Sequence, residues 1–143
     1  MTVVEAVLDH AAAERARLVT AARATLLRSA GAVTIEVLAE ATDRKVGTAR
    51  QWVRRQREAG RLVTVTHDGV VLVPTFQLDD GFDLDAEAAD VVAGLVAHQM
   101  SGWAVWDWFT TPNTWLDDAT PMTVFAAGDL AAVRRAATGL FQE

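Results

Sequence analysis

Six arginines, one lysine and a single glutamate fall between Arg44 and Arg61, in the run RKVGTARQWVRRQREAGR. The run holds seven of the chain's thirteen Lys and Arg residues and carries +6, on a protein whose formal net charge is −6. Guanidinium forks match phosphate oxygens and guanine edges, and a glutamine amide matches adenine, so this mixture points to duplex DNA. A merely solvated helix face would mix both signs. On a helical wheel Arg50, Arg54 and Arg57 recur at i, i+4 and i+7, with Gln51 and Arg55 beside them, while Ala49, Trp52, Val53 and Gln56 share the opposite, inward side. In a helix-turn-helix the first residues of the second helix reach base edges, which selects Thr48, Arg50 and Gln51 for sequence reading. Lys45, Arg54, Arg55 and Arg61 are suited to phosphate, and Arg57 completes the arginine face.

The rest of the chain offers no comparable chemistry. His10, His67 and His98 are scattered, Ser29 and Ser101 are the only serines and lie in no nucleophile motif, and there is no cysteine. No carboxylates stand at metal-ligand spacing and no glycine-rich loop follows a strand, so neither an enzyme nor a cofactor is expected. His98 and Asp107 could meet in space, but a satisfied histidine is the simpler expectation. Beyond Arg61 there are twelve acids and two bases, Arg134 and Arg135. The absence of cysteine, a first segment interrupted by Glu5, Asp9 and Glu14, and no apolar run near ~20 residues together predict a cytoplasmic protein.

The elements that must carry the basic face follow from pattern and punctuation. Residues 3 to 29 read as one or two alanine-rich helices ended by Gly31, with packing or dimerisation as their use. Thr34 caps a short helix, IEVLAEA from Ile35 to Ala41; after a break at Thr42 to Val46, Gly47 or Thr48 caps a second helix that Gly60 stops. Then LVTVT, HDG and VVLVP form a wing-like β-hairpin turning at Asp68-Gly69, with His67 at its tip and Pro74 closing the second strand. An acidic connector leads to a helix from Ala86 to about Gln99. A tryptophan-rich helix starts at Ser101, a short one at Thr120-Pro121, and the last follows Gly128-Asp129. The expected fold is mainly α. Residues 1–78 form an N-terminal helix-turn-helix domain with its hairpin, and residues 79–143 a small all-helical module. Spacing puts Trp106 in the core and leaves Trp103, Trp108 and Trp115 divided between core and interface.

The second half reads GWAVWDWFTTPNTWLDDATPMTVFAAGDLAAVRRAA. Its tryptophan-rich lead (Trp103, Trp106, Trp108 and Phe109), the Pro112-Asn113-x-Trp115-Leu116 element, the Thr120-Pro121-Met122 helix start and the Gly128-Asp129-x-x-x-Val133 step resemble the toxin-binding domain of Xre/MbcA/ParS-type antitoxins. The resemblance covers about residues 90 to 143, and Asp117-Asp118 stands where such proteins often carry a glycine pair. It implies an antitoxin of a type II toxin-antitoxin system. Such a protein covers the active site of a RES-domain, NAD-consuming toxin, and binds operator DNA to repress its own operon. It also implies a toxin-binding set of Trp108, Pro112, Asn113, Trp115, Asp129, Arg134, Phe141 and Glu143, with Phe141 and the Glu143 carboxylate at the blocking end. Two-fold operators call for a homodimer or a higher assembly with toxin. The alternatives are a stand-alone helix-turn-helix transcription regulator, a plasmid or phage maintenance factor without a toxin, and an adaptor that does not use DNA.

Overall fold

In the computed structural model the described residues are 2–29 and 31–142, without the side chains of residues 28 and 29. The first helix, α1 (Val3–Ser29), is continuous, and Gly31 follows it at a positive φ of 75°. A three-residue strand, β1 (Ala32–Thr34), leads into α2 (Ile35–Ala41). Thr34 caps α2 as its sequence suggests, its side-chain oxygen accepting the Val37 N–H at 3.1 Å. The turn to α3 (Val46–Glu58) passes through Asp43 at φ 52°.

Here the structure departs from the expected boundary. α3 starts at Val46 with Lys45 in the cap position, so Gly47 and Thr48 lie inside the helix. Their cap-like residue types mislead because, among the described residues, no side chain caps this end. Gly60, at φ 73°, stops the helix.

The hairpin is β2 (Val65–His67) and β3 (Val70–Pro74). Asp68 and Gly69 have φ of 50° and 77°, the two positive values a type I′ turn requires. β1 adds a third strand that its sequence did not announce: the sheet is antiparallel in the order β1-β3-β2, with Val33 opposite Val73 and Thr66 opposite Val71. Gln77, in the 3-10 turn Thr75–Gln77, is fully buried at the base of the hairpin. Its amide oxygen accepts the Val63 N–H at 2.7 Å, and its amide nitrogen donates to the carbonyls of Val63 at 2.9 Å and Pro74 at 3.1 Å. The amide thereby satisfies backbone groups that the ladder leaves unpaired.

The second half is helical: α4 (Ala86–Val96), α5 (Gly102–Thr110), a 3-10 turn (Thr114–Leu116), α6 (Pro121–Ala126) and α7 (Leu130–Leu140). α4 is shorter than expected, because Gln99 takes φ 67° and turns the chain out of the helix. Side-chain oxygens cap each start: Asp85 for α4, Ser101 for α5, Asn113 for the 3-10 turn, Thr120 for α6 and Asp129 for α7.

Packing joins the two halves. Leu38, Val53, Leu62 and Val73 hold α2 and α3 against the sheet. Val91, Val92, Leu95, Phe109 and Val133 build the helical core, and Val63, from the loop between α3 and β2, belongs to the same cluster. Leu26, Val65 and Trp106 form a third cluster, in which α1, the hairpin and α5 meet. Gly102 is obligatory at this seam, since a Cβ there would lie 2.0 Å from the Thr64 carbonyl oxygen. Among the described residues, no helix is long and apolar enough to cross a membrane.

Candidate nucleic-acid interface

The buried side of α3 is set by Ala49 and Val53, with Trp52 and Gln56 half-buried on its edge. That fixes what faces out. Thr48, Arg50, Gln51, Arg54, Arg55 and Arg57 are all exposed, as is Lys45 at the helix start. Arg50, Arg54 and Arg57 line a shallow depression together with Ile35 of α2 and Val71 of β3, so these three arginines stand on the wing side of the helix. Gln51 and Arg55 lie farther around the outward face and Thr48 on the opposite flank, as the 100° step of the helix dictates. The basic residues Arg55 and Arg57 fall in the last turn, where positive charge suits the helix dipole.

Two intramolecular partners shape this face. Arg54 Nε donates to Glu58 Oε1 at 3.0 Å, one turn along the same helix, so the only acid of the stretch holds one of its arginines. Arg44, in the turn between α2 and α3, lies over the Trp52 ring at 5.4 Å. That cation–π contact orients a cation beside the uncapped start of α3, a role that the linear sequence conceals. Arg61 sits apart from the other bases and is half-buried. Its guanidinium reaches Asp90 of α4 at 3.5 Å, and Arg134 of α7 reaches the other carboxylate oxygen of Asp90 at 3.4 Å. The wing is short and carries no Lys or Arg; His67 Nε2 lies 3.3 Å from the Asp68 carboxylate at its tip. Positive potential therefore comes from α3 and the turn before it.

The residues drawn from the antitoxin resemblance have different surroundings. Trp108 is in the core, 8% exposed, with its ring edge against Phe109. Asn113 and Asp129 are engaged as caps, accepting the N–H groups of Trp115 at 2.9 Å and Ala132 at 3.1 Å. Pro112 is exposed and Arg134 is paired with Asp90. Trp115 is 60% exposed yet lies flat on α7, where a Cβ at Gly139 would come within 2.5 Å of its ring. Phe141 folds back to stack on His98, ring centroids 3.6 Å apart. The His98 Nδ1 lies 3.0 Å from the Gly94 carbonyl oxygen, which satisfies that histidine without Asp107. Glu143 lies outside the described residues. Among the described residues, no cluster of His, Cys, Asp or Glu is arranged to hold a metal ion.

The geometry is that of a helix-turn-helix with a three-stranded wing, followed by a helical module. No family model and no curated protein matches the chain. Among solved structures, the NMR structure of Rv2175c is similar, with a TM-score of 0.64 and 19% sequence identity over 80% of this chain and 83% of that one. A likeness at that level of identity concerns the fold.

Proposed function

We propose that this protein binds double-stranded DNA through α3 and acts as a transcription regulator. The observation that carries the reading is the outward face of α3: four arginines and a glutamine on 13 residues, beside a wing, with Glu58 as the sole acid. Arg50, Gln51 and Thr48 read base edges; Lys45, Arg54, Arg55 and Arg57 contact phosphates on either side of the groove. Arg61, shared with Asp90, contributes less than its charge suggests. The test is binding of the protein to duplex DNA from its own promoter across a salt series, for the wild type and for Arg50→Ala/Arg54→Ala. Each lost phosphate contact lowers the slope of log K against log salt by about 0.9. A wild type with no salt-dependent binding rules the reading out.

A second reading adds a protein partner: an antitoxin that covers a RES-domain, NAD-consuming toxin and represses its own operon. It rests on the resemblance of residues 90 to 143, and the observation that favours it is the 60% exposed ring of Trp115, held against Gly139 of α7. Co-expression with the product of the adjacent gene, followed by co-purification, tests it. A co-purifying partner released by Trp115→Ala supports the capping role, and failure to co-purify favours the stand-alone regulator.

A further inference from the structure

Every residue from Thr2 to Arg23 is exposed. α1 touches the body only through its last turns, where Leu26 is buried against Trp106 and Val65, and Arg23 lies over Trp103 at 4.8 Å. From Thr2 to Leu18, about 25 Å of helix projects beyond the body. It is not a polar helix: Val3, Val4, Val7, Leu8, Leu18 and Val19 expose between 48% and 80% of their surface. Helices in folded proteins owe most of their stability to packing an apolar face, and clustered exposed aliphatics mark an interface.

The pattern on α1 identifies what covers it. Val4, Leu8, Ala11, Arg15, Leu18 and Ala22 are spaced alternately four and three residues apart, the seam of a two-helix coil. This seam maps onto itself when the helix is reversed about Ala13. Leu8 then meets Leu18, Val4 meets Ala22 and Ala11 meets Arg15; Val7 and Val19, which flank the seam, exchange places in the same way. Charge agrees with the reversal. Up to Ala13 the helix carries Glu5 and Asp9 and no Lys or Arg; from Glu14 to Leu27 it carries Arg15, Arg17 and Arg23 against Glu14 alone. Antiparallel pairing lays the acidic half on the basic half, whereas parallel pairing stacks like on like. The small side chains of Ala11, Ala12 and Ala13 let the helices approach at the two-fold axis.

We infer that two copies of this chain associate through α1 as an antiparallel pair centred on Ala13. The interface is isologous, as a two-fold dimer requires. Nothing in this inference depends on DNA binding.

The full-length protein, measured by light scattering during gel filtration at micromolar concentration, runs at twice the 15.4 kDa of one chain. Leu8→Glu and Leu18→Glu each halve that mass, while far-UV circular dichroism and the thermal transition of the body keep the fold in view. Orientation is read by disulfide trapping, which is clean because the chain has no cysteine. Leu8→Cys and Leu18→Cys proteins are mixed and mildly oxidised. The antiparallel pair gives the mixed Leu8–Leu18 disulfide in excess over either homodisulfide. A monomeric wild type, a dimer unaffected by both glutamates, or predominant homodisulfides each overturns the inference.

Discussion

Replacing Gln77 with leucine tests the account of how the wing is held. The glutamine is fully buried, and its amide accepts from one backbone N–H and donates to two carbonyls. Leucine fills a similar volume but offers no partner to the Val63 N–H or to the Val63 and Pro74 carbonyls. Three hydrogen bonds contribute about 1 kcal/mol each, and a buried N–H left without an acceptor costs about 1 kcal/mol more. The expected loss is about 4 kcal/mol, a large share of the roughly 5–15 kcal/mol that stabilises a domain. Urea denaturation followed by circular dichroism measures it directly, and the thermal midpoint should fall by about 12 °C at roughly 3 °C per kcal/mol. Hydrogen exchange adds a local readout: the Val63 amide loses protection first, ahead of amides in α4. A loss below about 1 kcal/mol, with Val63 still protected, would refute the claim that this amide replaces missing ladder bonds.

Other expectations follow from single contacts. Gly102→Ala drives a Cβ into the Thr64 carbonyl and should destabilise by about 3 kcal/mol in thermal denaturation, because backbone atoms on both sides must shift; a neutral effect would mean that the seam between the halves is loose. Glu58→Gln releases Arg54 from its partner and removes the only acid of the stretch. Duplex binding should tighten several-fold, because a charge that repels phosphate is gone and Arg54 no longer divides its contact between Glu58 and the backbone; unchanged affinity would argue that Glu58 stands clear of the DNA. Asp129→Ala removes the cap of α7 and should cost about 1 kcal/mol, measured by urea denaturation; a much larger loss would assign Asp129 a second role.

Local signals made much of the fold legible. α2 was readable to the residue, because Thr34 is a good cap and Ile35, Leu38 and Ala39 repeat at helical spacing. The hairpin turn was readable because Asp-Gly accommodates two positive φ values. β1 was not, since three residues between Gly31 and α2 are too short to show alternation and its pairing with β3 is long-range. The start of α3 is hidden for the converse reason: cap-forming residue types stand nearby, while the helix begins without a side-chain cap. In the candidate interface, one face for Arg50, Arg54 and Arg57 followed from i, i+4, i+7 spacing, whereas the diversion of Arg61 to Asp90 needed contact across 29 positions. Trp108 and Trp115 look alike in sequence; only the fold buries one and leaves the other against Gly139.

The shared clusters around Val63, Val65 and Trp106 bear on inheritance and engineering. A helix-turn-helix is often treated as a cassette that can be cut out and fused elsewhere. Here a cut near residue 78 would pass between elements that share a core, stripping cover from Val63 and Val65 at the root of the wing. The severed piece would present that apolar surface to water and to other copies of itself. Gene fusions and truncations that keep the arginine helix are thus constrained to keep α4, α5 and α7 with it, and the acidic half travels with the basic one as a condition of the wing's shape.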